Sequence, residues 1–511
     1  MTFENINVLS RKSDLAVIQA HEFGRVLLSK YPSININFKT KSTSGDKDLQ
    51  TPLSEMPNEG VFTDDLRDDL IKKNCDIIIH SWKDLPLDVG SETEIAITLN
   101  RADERDLLFI KKNNIDKIKN ERSIFILSSS PRRKYNLENF ITDFLPFQIQ
   151  KVHFQNIRGN ILTRFKKFIE SDSDGFVVAK AAIDRLLNAD LKLFPEIKKT
   201  LLPKINKCYW NVVPLSVNPS SPGQGALAIE IRSNDNNLKK ILLELNNKED
   251  YENVILERGE LQKYGGGCHQ KIGVSFQSTH FGKIKSSKGE TDKGIPFQER
   301  IIYKNSNDIS SQQISLNEIF PENLSDYSFF KRNVIESCKK ELTALRNKCI
   351  WISRQSALPL NQEIHSSNVI WVSGLETWKK LAERGIWVNG TSDGLGEDSD
   401  LNIETLTTNQ WIKLTHLDAP PSKIRHVIAT YQLKENEISL NIANKKYFYW
   451  MSSSAFKYVI DRHPNIRDKV HFCGPGNTYK EIKNILADDS KNLFIELSYN
   501  DWKNKILQAI D

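Results

Sequence analysis

No apolar stretch in this 511-residue chain approaches the roughly 18 consecutive apolar residues that a membrane-spanning helix needs, so no membrane span is expected. The opening Met-Thr-Phe-Glu-Asn lacks the basic segment and apolar core of a secretory leader. Cysteine is scarce. The six are Cys75, Cys208, Cys268, Cys338, Cys349 and Cys473, and none forms a Cys-x-x-Cys pair. That spacing argues against a metal centre, and scattered thiols suit a reducing cytoplasm. No Gly-x-x-x-x-Gly-Lys-Ser/Thr and no Gly-x-Gly-x-x-Gly follows a strand-like run, which disfavours nucleotide. There is no dense Lys/Arg run and no basic patch interleaved with aromatics. The net charge of +6 therefore reads as handling of small anions rather than of nucleic acid. Length alone predicts roughly three to four domains.

What is present concentrates at strand ends. Asp76-Ile77-Ile78-Ile79-His80-Ser81-Trp82-Lys83-Asp84-Leu85-Pro86 begins as a short continuous apolar run, the pattern of a strand buried on both faces. Pro86 lacks an N–H and restrains the residue before it, so the strand is expected to stop at this turn. Lys83 and Asp84 are thereby presented at the carboxyl end of a buried strand, where ligands bind in open α/β sheets. A cation beside a carboxylate can anchor an anion and move a proton at one point. By itself the turn also reads as a solvated Lys-Asp pair. The N-terminus repeats the arrangement. Asn5–Ser10 reads as a strand, Arg11-Lys12-Ser13 follows, and Leu15, Val17, Ile18, Phe23, Val26 and Leu27 fit an amphipathic helix capped by Ser13. An arginine at a helix N-terminus is a ready anion site; the other reading is an ordinary capped helix with surface charge.

Arginines recur in the same setting. Ile124–Leu127 reads as a strand leading into Ser128-Ser129-Ser130-Pro131-Arg132-Arg133. Arg158-Gly159-Asn160 precedes Thr163-Arg164, and Phe176–Ala179 leads through a helical segment to Arg185. Guanidinium is a permanently charged planar fork that pairs with carboxylate in bidentate fashion. Singly, each arginine reads as a surface residue. At successive strand ends they argue for a small substrate, or chain of substrates, carrying many carboxylates or phosphates. Gly265-Gly266-Gly267-Cys268-His269 is a further singular feature. Its glycines permit close approach of backbone to a ligand, leaving Cys268 either a cysteine in a tight turn or a thiol used for covalent attachment.

Taken in order, these motifs resemble the hydroxymethylbilane synthase (porphobilinogen deaminase) family. The resemblance covers about residues 4–346. It includes Ser10–Ala16, Gly45-Asp46 with Thr51-Pro52-Leu53, Gly60-Val61-Phe62, His80–Pro86, Arg101 with Arg105-Asp106, and Ser128–Arg133. It continues through Arg158-Gly159-Asn160 with Thr163-Arg164, Arg185-Leu186, Pro222-Gly223-Gln224-Gly225, Glu257-Arg258, and Gly266-Gly267-Cys268 with Ile272-Gly273. It implies an α/β fold with two periplasmic-binding-protein-like lobes, residues 1–104 with 209–232 and residues 105–208. A small α+β domain over 233–347 would carry Cys268, and crossings near 101–107 and 205–222 would act as hinges. The implied activity is that of a monomeric, cytoplasmic transferase of haem (tetrapyrrole) biosynthesis. It condenses four porphobilinogen molecules head to tail, with loss of ammonia, to hydroxymethylbilane. The implied cofactor is dipyrromethane, thioether-linked to Cys268; no metal is implied. Asp84 would be the catalytic carboxylate. Lys83, Ser13, Ser129, Ser130, Arg132 and Arg133 would hold the cofactor. Arg11, Arg158, Arg164, Arg185 and Phe62 would receive substrate, whose acetate and propionate groups account for the arginines.

Two departures from the family pattern matter. Where the family carries a lysine-bearing glycine loop, this chain has Pro57-Asn58-Glu59-Gly60 with a further acid at Glu55. A carboxylate facing a polycarboxylate repels it, so the loop points away, another cation compensates, or activity is reduced. Lys271 stands where proline is usual after the attachment cysteine. Beyond about residue 348 the composition changes: seven of the nine tryptophans lie there. A helix is expected over Phe330–Arg346 and a further α/β domain over 348–511. This last region distantly resembles uroporphyrinogen III synthase through Val369–Thr377, Phe448–Phe456 and Val470–Thr478, with that family's opening segments shortened or absent. Three readings follow: a tetrapyrrole-forming transferase, a two-lobed anion-binding homologue without full activity, and a bifunctional enzyme that also cyclises hydroxymethylbilane to uroporphyrinogen III.

Overall fold

The structure, a computed structural model, describes residues 4–43, 63–88, 90–265, 270–303, 314–419, 422, 425–437, 442 and 444–508. Glu55, Glu59, Phe62 and Cys268 lie outside the described residues. The chain divides into two compact units, one of Met1–Asp143, Phe147–Thr279 and Lys283–Arg300, the other of Phe144–Pro146, His280–Gly282 and Ile301–Asp511. No helix of the described residues is long and apolar enough to cross a membrane.

The first unit holds two sheets built on one plan. The first sheet contains β1 (Asn5–Arg11), β2 (Asn35–Lys41), β3 (Ile77–Ser81), β4 (Thr93–Ile97) and β10 (Leu227–Arg232) in the order β2-β1-β3-β10-β4. The second contains β5 (Asp106–Lys111), β6 (Ser123–Leu127), β7 (Lys151–Gln155), β8 (Gly175–Ala179) and β9 (Cys208–Val213) in the order β7-β6-β8-β5-β9. In each, three parallel strands are followed by one antiparallel strand, β10 or β5. β10 returns to the first lobe after the whole of the second, while β5 opens the second lobe just past the first crossing. The chain crosses between lobes twice, at 98–105 and 214–226. β9 pairs along its whole length with β5, from Asp106↔Val213 to Lys111↔Cys208. The second lobe thus runs to Val213, not to 208 as expected.

Local chemistry explains the elements that frame the site. Ile77, Ile78 and Ile79 of β3 are all buried, as the apolar run requires. Helix α1 (Asp14–Lys30) is capped by the Ser13 hydroxyl, which accepts from the Ala16 amide at 3.4 Å. Phe23 and Leu27 of α1 pack with Ile6, Val8, Ile77 and Ile229 in one core. In the second lobe, α2 (Pro131–Phe144), α3 (Ile161–Glu170) and α4 (Lys180–Leu187) follow β6, β7 and β8. Helix α5 (Lys248–Gln262) precedes a three-stranded sheet of β11 (Gly273–Thr279), β12 (Gly282–Glu290) and β13 (Pro296–Tyr303).

The second unit holds two more α/β sheets. One is parallel, with β14 (Ile319–Phe320), β21 (Tyr447–Trp450), β22 (Val470–Cys473) and β23 (Leu493–Ile495) in that order. The other runs β15-β20-β19-β16-β17-β18, from β15 (Phe330–Val334), β16 (Cys349–Ile352), β17 (Val369–Val372), β18 (Gly390–Thr391), β19 (Trp411–His416) and β20 (His426–Glu435). Only β15 is antiparallel to its neighbour. Two expectations are corrected here. A helix over Phe330–Arg346 is replaced by strand β15 and a short helix, Cys338–Ala344. A boundary at 347 fails because β14 and β15 pair with β21 and β20. Phe320 lies 6.0 Å from the Phe448 ring and 5.9 Å from Trp450, so burial of aromatics ties this segment to the C-terminal sheet.

Candidate active site

β3 ends in a single 3-10 turn, Trp82–Asp84. Trp82 is buried and packs 5.1 Å from the Tyr251 ring, and its amide donates to the Ala226 carbonyl at 3.0 Å. The turn is therefore pinned from beneath while Asp84 keeps 40% of its side chain exposed. Arg11 Nη1 stands 4.0 Å from Asp84 Oδ2, at ion-pair range and beyond a hydrogen bond. Arg11, Ser13, Gln19, Thr63, Ser81 and Asp84 line a common pocket, in which Gln19 Nε2 donates to Ser81 Oγ at 2.9 Å. Lys83 Nζ donates to Gln224 Oε1 at 3.2 Å. Burial pushes its ammonium down to about 8, with Asp84 opposing the fall.

Four arginines from both lobes close on this turn. Arg164 is pushed down to about 10, first by burial, then by the charges of Arg133, Arg158 and Arg11; the Asp84 carboxylate works the other way. Arg164 Nε donates to the Gly159 carbonyl at 2.6 Å, where Gly159 takes φ +115°, a conformation that glycine adopts without strain. Guanidiniums held this close repel one another unless anions lie among them. The cluster therefore fits a group that carries several carboxylates.

Not every expected residue joins it. Arg132 is buried, donating from Nη1 to Asn218 Oδ1 and to the Pro219 carbonyl, each at 2.7 Å, and from Nη2 to Asp106 Oδ2 at 2.9 Å. Arg133 sits between the two environments: it donates to both Asp106 oxygens, at 2.7 and 3.0 Å. Asp106 is held far below the usual carboxylate range by these two guanidiniums, against the effect of its burial. Arg185 is turned to Glu22 and the Gly225 carbonyl. The hydroxyls serve the backbone: Ser13 caps α1, Ser129 Oγ exchanges 2.8 Å hydrogen bonds with Ile157, and Ser130 Oγ accepts from the Arg133 amide at 3.4 Å.

Two residues without an expected role organise the site. Gln224 donates to the Glu104 carbonyl at 2.7 Å and to Asp106 at 2.8 Å, while its Oε1 accepts from Lys83 and Arg133. Glu257 of α5 takes both Arg101 Nη groups at 2.7 and 2.9 Å, and the amides of Gly223 and Phe276 at 2.8 and 2.9 Å. Together they lock both crossings to the strand-end turn. The Pro-Gly-Gln-Gly turn signals a special backbone, but nothing local says which side chains its glutamine joins.

The family model for "Porphobilinogen deaminase, dipyromethane cofactor binding domain" matches residues 6–240. Curated relatives agree. The porphobilinogen deaminase of Nostoc sp. is 30% identical over 274 residues, covering 53% of this chain and 77% of that protein. That of Chlorobium phaeobacteroides is 34% identical over 276 residues, 54% of this chain and 79% of the relative. That of Clostridioides difficile is 31% identical over 267 residues, 52% and 80%. Among solved structures, a probable amino-acid ABC transporter extracellular-binding protein from Bacillus subtilis aligns with 51% of this chain and 96% of its own, at 12% identity and a TM-score of 0.25, too low to carry weight.

Proposed function

This chain belongs to the porphobilinogen deaminase family of tetrapyrrole biosynthesis, and we propose that Asp84 and the cations around it do the family's work here. The carrying observation is one partly exposed carboxylate, Asp84, beside Arg11, Lys83 and Arg164, with Arg133 and Arg158 next to those cations. Dipyrromethane would be attached at Cys268, and when bound it would supply the terminal pyrrole to which porphobilinogen is joined. Its acetates and propionates suit a cluster of like charges. Arg11, Arg158 and Arg164 hold substrate carboxylates. Lys83 and Arg133 hold those of the cofactor. Asp84, close to but not bonded with Arg11, offsets the positive charge that develops on the pyrrole as ammonia departs, and accepts the proton released on carbon–carbon bond formation. Arg132 supports Arg133 and Asp106 from within. The chain works as a cytoplasmic monomer.

The test is Asp84→Asn, which keeps shape and removes charge. Turnover should fall by roughly 10²-fold or more, while intact mass still shows two pyrrole units added. Cys268→Ser should carry no such mass. Wild-type turnover in Asp84→Asn removes this carboxylate from the mechanism.

A second reading concerns the C-terminal unit, as a site that closes hydroxymethylbilane into uroporphyrinogen III. One observation favours it. β16 lies between β17 and β19, all parallel, so its carboxyl end is a topological switch point. His416, at the end of β19, has its pKa lowered by burial, with Asp418 opposing the fall and Arg354, Lys413 and Arg332 adding to it. Cations gathered at that point suit a polycarboxylate.

A further inference from the structure

Arg185 ties the two lobes together at the place where the crossings meet. It lies on α4 of the second lobe, yet its Nε donates to Glu22 Oε2, on α1 of the first lobe, at 2.8 Å. Its Nη2 donates to the Gly225 carbonyl at 3.0 Å. Gly225 belongs to the second crossing, and the same carbonyl accepts from Ala102 of the first crossing at 3.2 Å. Gly225 takes φ +88°, and a Cβ there would meet the Ala102 oxygen at 2.2 Å, so only glycine fits this junction. The guanidinium edge formed by Nε and Nη2 is the edge a carboxylate grips with two parallel bonds. Glu22 and Gly225 hold it instead. Arg185 is 8% exposed, but the Glu22 side chain keeps 25% of its surface open to solvent, so the pair is reachable from outside.

We infer that Glu22 is a built-in competitor for Arg185, an interlobe clasp that the carboxylates of the growing pyrrole chain displace, so that chain length is coupled to release of one lobe from the other. The inference rests on the reading of Arg185 as a receiver of substrate carboxylates. Each added pyrrole brings an acetate and a propionate, so the anionic challenge to Glu22 rises with every addition. Glu22 itself touches no reacting atom; it is a positioning residue acting through Arg185.

The experiment supplies cofactor-loaded protein with limiting porphobilinogen and reads the intact masses of the covalent protein–chain complexes, alongside melting temperatures. Glu22→Gln keeps length and an acceptor oxygen but removes the charge. It should shift the mass ladder toward longer chains, with the longest complex enriched roughly threefold to tenfold, the scale of a partly exposed ion pair. Arg185→Gln should shift the ladder toward short chains, and the double variant should match Arg185→Gln alone. A wild-type ladder in Glu22→Gln beside a shifted ladder in Arg185→Gln overturns the clasp and leaves Arg185 a substrate residue. A lowered melting temperature in Glu22→Gln with an unmoved ladder reduces the pair to a structural tie and overturns the clasp as well. An unmoved ladder in Arg185→Gln removes the substrate reading of Arg185 and the clasp with it.

Discussion

Lys83 should set an alkaline limit on cofactor attachment more than two pH units below that of an ordinary lysine. Burial pushes its ammonium from 10.5 to about 8; Arg133 and Arg132 add to the fall, and Asp84 and Asp106 resist it. In the cofactor-free protein, roughly 90% of Lys83 is charged at pH 7 and about 10% at pH 9. If the charged form receives cofactor carboxylates, the rate of cofactor attachment should therefore drop by about tenfold over that interval, with an apparent pKa near 8. The displacement corresponds to roughly 3 kcal/mol at most, and its sign can be followed in unfolding. Between pH 8 and 10.5 the unfolded chain holds a proton on Lys83 that the native chain has lost, so stability rises with pH through that window. The assay is the rate at which cofactor-free protein gains the mass of two pyrrole units when given porphobilinogen, from pH 6 to 10, with unfolding midpoints over the same range. Porphobilinogen carries an alkylamine of its own, which titrates near the usual 10, so Lys83→Arg is the control. Arginine stays charged throughout, and this variant, if active, should lose the limb near 8. Asp84→Asn should move any residual limb lower, because Asp84 supports the charge. A wild-type profile flat to pH 9.5, or a limb near 8 that persists in Lys83→Arg, refutes the reasoning.

Further outcomes can be checked directly. Arg132→Met removes one of two guanidiniums from buried Asp106; it should cost roughly 3–5 kcal/mol, seen as a lower denaturation midpoint, and an unchanged midpoint would place Arg132 outside the scaffold. His471 is buried, accepting from Trp450 Nε1 at 3.1 Å and donating to the Ile466 carbonyl at 3.0 Å, and burial pushes it down to about 4. Its neutral form supports the fold above pH 6.5, and up to about 3 kcal/mol of that support should vanish as pH falls toward 4; tryptophan-monitored unfolding of His471→Gln should show a shallower acid dependence than wild type. For the C-terminal unit, the full chain and a truncation ending after β13, near residue 303, are incubated with porphobilinogen and the isomers separated after oxidation. Type III product from the full chain alone supports cyclisation, and type I product from both removes it.

The strand-end turn was legible because its signals are local. A triple-isoleucine run and Pro86 bracket Lys83 and Asp84 without help from distant residues. Ser13 likewise announces its cap. The fate of the two adjacent arginines was not legible. Arg132 turns inward because Asp106 and Asn218, 26 and 86 positions away in the chain, place acceptors there, and no spacing within Ser128–Arg133 encodes that choice. The same holds for Arg185, whose partner Glu22 is 163 positions distant. In the C-terminal unit, β14 is two residues long, too short to leave a period, and the charged Phe330–Val334 carries no apolar alternation to mark it as a strand. The sheet plan of the first unit emerges only from pairing, since the first lobe draws its antiparallel strand β10 from beyond the second crossing.

The late return of β10 has a consequence for biosynthesis. β4 reaches the first sheet only through β10. Until residue 232 leaves the ribosome, β3 has an open edge and β4 has no partner in that sheet, so the earliest-made lobe is the last to be completed. The second lobe, with all five strands between residues 106 and 213, can close first. The nascent chain therefore matures from the middle outward, and a stop codon anywhere before β10 releases a fragment with a sticky sheet edge rather than a smaller working lobe.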